Sequence, residues 1–292
     1  AMTYHCSLSG AIDFYKACRA CDIKPIIGIE TYVAARTIHD RDPAKDKARY
    51  HLILLAMNNT GYQNLMKLST VANLEGVYYK PRIDHDLLEK HSEGLIALSA
   101  CMGGEIGERL RSDDYEGARE VALWYKGLFG DRYYLEIQDH ENPDQKKINQ
   151  QILKLSDELG IACVLTSDAH YLSQDDQDAH EVLLCVGTAA YLSDQGRMSL
   201  KDYHLHVTDP ADVISRWGES HPGIIRTTKQ IADRCEVELE FGKILIPTFP
   251  VPEGKTEKSY LDELVWQGVA WRYGGVAAEA AAQLSIDQAR SK

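Results

Sequence analysis

Ile161-Ala-Cys-Val-Leu-Thr-Ser-Asp-Ala-His-Tyr171 runs an apolar segment straight into two residues of metal-ligand type. Residues 161–166 read as a buried strand, a short aliphatic and β-branched run. Asp168 and His170 follow two positions apart, a spacing that puts both side chains on one side of an extended chain. Working outward, the same pairing of strand and ligand type recurs. Residues 25–33 read as a buried strand holding Glu30, and a charged loop (39–49) leads to a second strand at 50–56 holding His51. A third strand at 94–99 is followed directly by Cys101, and 133–138 is a fourth. Helical periodicity covers residues 9–21, 60–73, 115–129 and 144–159, with Asn58-Asn-Thr60 supplying cap chemistry for the second.

Strand–helix alternation with nearly continuous apolar strands predicts an α/β fold with a parallel sheet. Five or more such units with polar residues at strand ends predict closure into a (β/α) barrel. An open doubly wound sheet is the alternative, but no Gly-x-Gly-x-x-Gly turn follows a first strand. Farther on, residues 212–235 read as helical, and Pro247-Thr-Phe-Pro-Val-Pro-Glu-Gly254 reads as a linker. Residues 261–272 form another amphipathic pattern, and 277–292 are alanine-rich and helix-prone without a motif.

Composition narrows the function. The chain of 292 residues is 44% hydrophobic and 26% charged, ordinary for a globular protein. Its net charge of −12 argues against a self-sufficient DNA-binding module, whose surface is usually basic. No apolar run approaches the roughly 20 residues of a membrane span, and no leader is seen. The opening Ala1-Met2-Thr3 reads as the end of a strand already under way, hence as a truncation. Seven cysteines without a paired framework suit a reducing cytoplasm. Cys18 and Cys21 have CxxC spacing but no second pair, and read as helix-face thiols rather than a zinc or redox site.

In a parallel barrel the C-terminal ends of the strands converge, so His5, Glu30, His51, Cys101, Asp168 and His170 are the candidates for one site. Imidazole, carboxylate and thiolate suit zinc, manganese or iron, and such ions clamp and activate phosphate esters. Each residue has a plainer reading. His5 alone is a polar residue near a helix, His51 a satisfied core histidine, and Cys101 a buried thiol. Glu30 in an apolar strand is harder to dismiss, because a buried carboxylate needs a partner. His204-Leu-His206 reads as a strand-face or surface pair, and His140, past a strand end, as a residue supporting the site.

These residues resemble the PHP (polymerase and histidinol phosphatase) domain of bacterial replicative polymerase alpha subunits. The resemblance runs from Thr3 to about Gly275. It is carried by Leu8-Ser-Gly-Ala-Ile-Asp-Phe-Tyr15, Lys24-Pro-Ile-Ile-Gly-Ile-Glu30, Asn58-Asn-Thr-Gly-Tyr-Gln-Asn-Leu65, Tyr79-Lys-Pro-Arg-Ile-Asp84, Leu98-Ser-Ala-Cys-Met-Gly103, Thr166-Ser-Asp-Ala-His-Tyr171 and Asp178-Ala-His-Glu181. Pro247-Thr-Phe-Pro250, Tyr260-Leu261 and Gly268 through Tyr273 place it in the polymerase branch.

The resemblance implies a distorted (β/α)7 barrel over 1–208, lacking its first strand and His-x-His motif. It also implies the C-terminal part of that domain over 209–246, and a linker with the beginning of a polymerase palm over 247–292. His5, Glu30, His51, Cys101, Asp168 and His170 match six metal-binding positions. Thr3-Tyr-His-Cys-Ser7 departs from the family's usual Thr-Asp-His-Gly-Asn at Tyr4 and Cys6.

The implied function is that of a cytoplasmic DNA-directed DNA polymerase, a nucleotidyltransferase of DNA replication. Its partners would be DNA, a proofreading exonuclease, a sliding clamp and other replicase subunits, with no membrane involved. Magnesium would serve the parent polymerase, and zinc or manganese a 3′–5′ exonuclease-type site in this segment. The alternatives are a free-standing histidinol-phosphatase-like phosphoesterase and a non-catalytic docking scaffold.

Overall fold

The computed structural model describes residues 1–140, 142–269 and 271–272. The alanine-rich 277–292 segment lies outside the described residues, as does the end of the tail resemblance beyond Arg272. Two compact units divide the chain, Ala1–Glu238 and Leu239–Lys292.

In the first unit the order is α1 (Ala11–Ala20), β1 (Gly28–Ala34), β2 (Arg49–Ala56), α2 (Asn59–Leu74), α3 (His85–His91), β3 (Leu95–Leu98), α4 (Glu105–Arg111), α5 (Tyr115–Phe129), β4 (Tyr133–Gln138), α6 (Pro143–Leu159), β5 (Cys163–Thr166), α7 (Gln177–Thr188), α8 (Pro210–Trp217) and α9 (Pro222–Arg234). Among the described residues, one five-stranded sheet runs β1-β2-β3-β4-β5 and is not closed. It is the α/β architecture expected of a PHP-type barrel, with two corrections: the expected closure is not seen among the described residues, and the strands are not all parallel. β2 runs antiparallel to both β1 and β3, while β3, β4 and β5 are parallel. Apolar strands alone do not specify direction, and β1 and β2 are joined by a loop without a crossover helix, which leaves antiparallel pairing open to them.

The predicted helix over 212–235 is two helices, broken at 218–221, where Gly218 and Pro222 punctuate the chain. Helices α3, α4 and α7 were not anticipated from periodicity. The second unit contains α10 (Glu257–Val269), which begins four residues ahead of the predicted 261, after an irregular, proline-rich 247–252.

The core gathers Leu55, Ile96, Leu98, Tyr134 and Val164 from four strands against Ile231 of α9 and Cys235. Helix α2 approaches the sheet so closely that a Cβ on Gly61 would sit 1.9 Å from the Gly94 carbonyl oxygen. Asn58 caps α2 by accepting from the Gly61 N–H at 2.9 Å.

Several motif residues are structural. Arg82 is fully buried and donates to the carbonyls of Gly76, Ile38, Asp40 and Asp46, tying the 36–46 loop to the sheet. Asp84 accepts from Ile38 N–H and caps α3 through Leu87 N–H. Glu181 takes Arg197 Nη1, Ser199 Oγ and Leu200 N–H at 2.6, 2.9 and 2.8 Å. Cys18 and Cys21 lie in and just beyond α1, both free thiols.

Arg36 Nε and Nη2 donate to both oxygens of buried Asp46 at 2.7 and 2.6 Å. These bonds hold the Asp46 carboxyl below its usual pKa. Its stabilising effect is present above the ordinary carboxylate value of about 4 and is lost as the pH falls through the depressed value. Asp46→Asn should therefore lower the melting temperature at pH 7. Melting curves at decreasing pH should show the deficit shrinking as the wild-type carboxylate takes up its proton.

Candidate metal centre

His51 is the pivot of the site. It is the third residue of β2, and the antiparallel register sets it opposite Tyr32, two residues past Glu30. Because β2 runs backwards, its early residues lie at the same end of the sheet as the late residues of the parallel strands. His51 was expected at the end of a parallel strand; it reaches the same place from the start of an antiparallel one. Its N–H donates to the Gly103 carbonyl at 2.9 Å, fixing the loop that carries Cys101. The His51 Nδ1 lies 2.6 Å from Glu30 Oε1 and 3.4 Å from Cys101 Sγ.

Among the described residues, Glu30, His51 and Cys101 are the group whose ligand atoms all lie within 4.8 Å of one another. An oxygen, a nitrogen and a sulfur meet at one point, a donor set and spacing that fit a divalent ion bound at about 2.0–2.3 Å from each. His5 stands beside them, its Nδ1 3.6 Å from Glu30 Oε2 and its ring stacked on Tyr32. A bridge between His5 and Glu30, with Cys6 N–H donating to the Glu30 carbonyl at 2.8 Å, holds that segment parallel to β1.

Asp168 and His170 leave the end of β5 and line a cavity of about 870 Å³ that His5 and Glu30 also line. Asp168 has a left-handed φ of 47°, and His170 Nδ1 sits 2.7 Å from its carbonyl oxygen. These two residues therefore face the cluster across a shared cavity without joining the three-atom group. Cys6 also holds a left-handed φ, of 52°, a conformation that suits glycine better than a residue with a Cβ.

The electrostatics of the site are uneven. Burial pushes the Glu30 carboxyl up, but the hydrogen bond from His51 and the charges of His5, His51 and His170 outweigh it and hold it below its ordinary value. Asp168 moves the other way, raised by burial and by the Glu30 charge against the opposing pull of His170, His5 and His51. Burial, then the charges of Asp168 and Glu30, raises the Cys101 thiol. Two carboxyl groups and a thiol thus share the site with three histidines, and burial is the largest influence raising Asp168 and Cys101.

Two buried residues beside the site had not been singled out as part of it, or only in passing. Glu136, in the middle of β4, lines the same cavity, and burial lifts it to about 7. Its signal was the one used for Glu30, a carboxylate in an otherwise apolar strand. His140 is buried with neither ring nitrogen hydrogen-bonded, and burial pushes it down to about 4. The pair His204 and His206 lies partly on a surface segment, with His206 bridging to Tyr171.

Residues 1–140 match the PHP domain. Along 94% of its length the chain is similar to DNA polymerase III subunit alpha of Borreliella burgdorferi (39% identical over 277 residues), Thermus aquaticus (42% over 283) and Deinococcus radiodurans (41% over 285). The class is therefore a PHP domain, with three donor side chains converging on its sheet. The chain belongs to the DNA polymerase III alpha-subunit family, as a PHP-bearing segment spanning 24%, 23% and 21% of those three relatives. No described helix is long and apolar enough to cross a membrane.

Binding a metal here requires the raised Cys101 thiol to lose its proton. Adding zinc to the metal-free chain at pH 7 should release about one proton per ion, read by calorimetry in buffers of differing ionisation enthalpy. His51→Ala should weaken zinc at least about tenfold and leave the far-UV circular dichroism unchanged.

Proposed function

We propose that this chain is the PHP portion of a bacterial replicative polymerase alpha subunit and holds a divalent-metal centre that hydrolyses phosphodiesters at DNA 3′ ends. The observation that carries this reading is the meeting of Glu30, His51 and Cys101 ligand atoms within 4.8 Å. His5, Asp168 and His170 complete the donor set from the adjacent segment and across the cavity. Nitrogen, oxygen and sulfur donors favour zinc, and the added carboxylate and imidazoles suit manganese.

A bound divalent ion supplies polarisation of a phosphoryl oxygen and neutralises charge in the transition state. The protein's own groups set the geometry. His51 and His5 keep Glu30 anionic and oriented, and Asp168 presents a second carboxyl to the same cavity. With a net charge of −12, this segment is a poor grip for a nucleic acid on its own. DNA-directed synthesis, magnesium, the grip on DNA, and contacts with a proofreading subunit and a sliding clamp are assigned to the longer protein. A scaffold reading draws on Cys6, whose left-handed backbone departs from a glycine pattern beside His5.

A 5′-labelled single-stranded DNA incubated with the manganese-loaded chain should shorten from its 3′ end. The activity should vanish with EDTA and fall about a hundredfold or more in Asp168→Ala. Bound metal without shortening would favour the scaffold, and failure to bind metal would overturn the reading altogether. Primer extension should be seen with the full-length protein and not with this chain.

A further inference from the structure

β3 leads to Cys101, β5 leads to Asp168 and His170, and β4 lies between them in the sheet. β4 contributes no residue to the donor set, yet it carries Glu136 on the cavity wall. Its backbone is tied to the β3 side, and its carboxylate is held through one oxygen by Thr166 and Gln138. The Glu136 N–H donates to Ser99 Oγ at 2.8 Å, at the exit of β3. Oε1 accepts from Thr166 Oγ1 at 2.5 Å, at the end of β5, and from Gln138 Nε2 at 3.2 Å. Oε2 is buried and has no hydrogen-bond partner. A buried carboxylate oxygen without a donor carries a desolvation cost that no group of the protein offsets. Natural structures keep such groups mainly where something outside the protein satisfies them.

We infer that Glu136 is a positioning residue of the metal centre, its Oε2 accepting a hydrogen bond from water held there beside Asp168 and Glu30. The inference rests on the metal reading proposed above. Thr166 and Gln138 occupy Oε1 and thereby aim Oε2, and Ser99 ties β4 to the strand that leads to Cys101. Groups of this outer kind orient a metal's surroundings, and their loss typically costs 10–100-fold in affinity.

Glu136→Gln tests it with little change of shape. Gln138 donates to the inner oxygen, which forces the new amide to keep its carbonyl there and turn its NH2 to the cavity, so an acceptor becomes a donor. Cobalt(II) is titrated into the full chain and followed by its visible absorption, with circular dichroism and melting temperature measured alongside. The expected result is tight binding by wild type, clear weakening in His51→Ala, and binding weakened about tenfold or more with an altered visible band in a folded Glu136→Gln. A purely structural role would lower the melting temperature and leave affinity and band as in wild type, and that result overturns the inference while sparing the metal site. Should Glu136→Gln not fold, Thr166→Val decides instead: it removes the shorter of the two bonds that hold Oε1, and wild-type affinity in that variant overturns the inference. Wild type that binds no cobalt, or binds it no better than His51→Ala, overturns the metal reading and this inference together.

Discussion

The β1–β2 register is the constraint on which the site depends. Glu30 pairs with Ile53 and Tyr32 with His51, so the histidine is diagonal to the carboxylate on one face of the sheet. That diagonal is short enough for Nδ1 and Oε1 to meet at 2.6 Å. A slip of one residue would turn His51 to the opposite face. It would also break the hydrogen bond from His51 N–H to Gly103 that brings the Cys101 loop in. Leu52 and Leu54, on the opposite face of β2, are fully buried and fix the register from that side. Packing in the core thus sets the geometry of the donors.

The cost of that geometry is electrostatic. Two carboxyl groups, Glu30 and Asp168, line one cavity and are driven apart in acidity, Glu30 down and Asp168 up. Glu136 is a third carboxyl within reach of both charges. Like charges crowded in a low-dielectric site repel strongly. A divalent cation relieves this repulsion directly. Acidic groups that make the metal-free protein less comfortable are the ones that would attract the ion.

Much of this was legible in the residues, for identifiable reasons. β4 and α5 fall where their patterns put them, because an apolar strand and an amphipathic helix each bury one continuous surface. The six donor candidates share one region because they sit at strand ends or beside them. Strand direction was not legible: Tyr50 to Ala56 has the same apolar character in either orientation. Helices α3 and α4 were hidden by their length, seven residues each, too short for periodicity to show. The break between α8 and α9 was signalled by Gly218 and Pro222 but masked by the apolar spacing running through it. Glu136 carried the signal of a carboxylate in an apolar strand, and what set it apart, an oxygen left without a donor, exists only in three dimensions.

The central claim is that Glu30, His51 and Cys101 form a metal site, and anomalous X-ray scattering at the zinc edge from crystals of the zinc-loaded chain tests it most directly. The account predicts one strong peak lying about 2.0–2.3 Å from His51 Nδ1, a Glu30 oxygen and Cys101 Sγ. A map with no peak among these three side chains, under conditions where zinc is bound elsewhere on the protein, would contradict it.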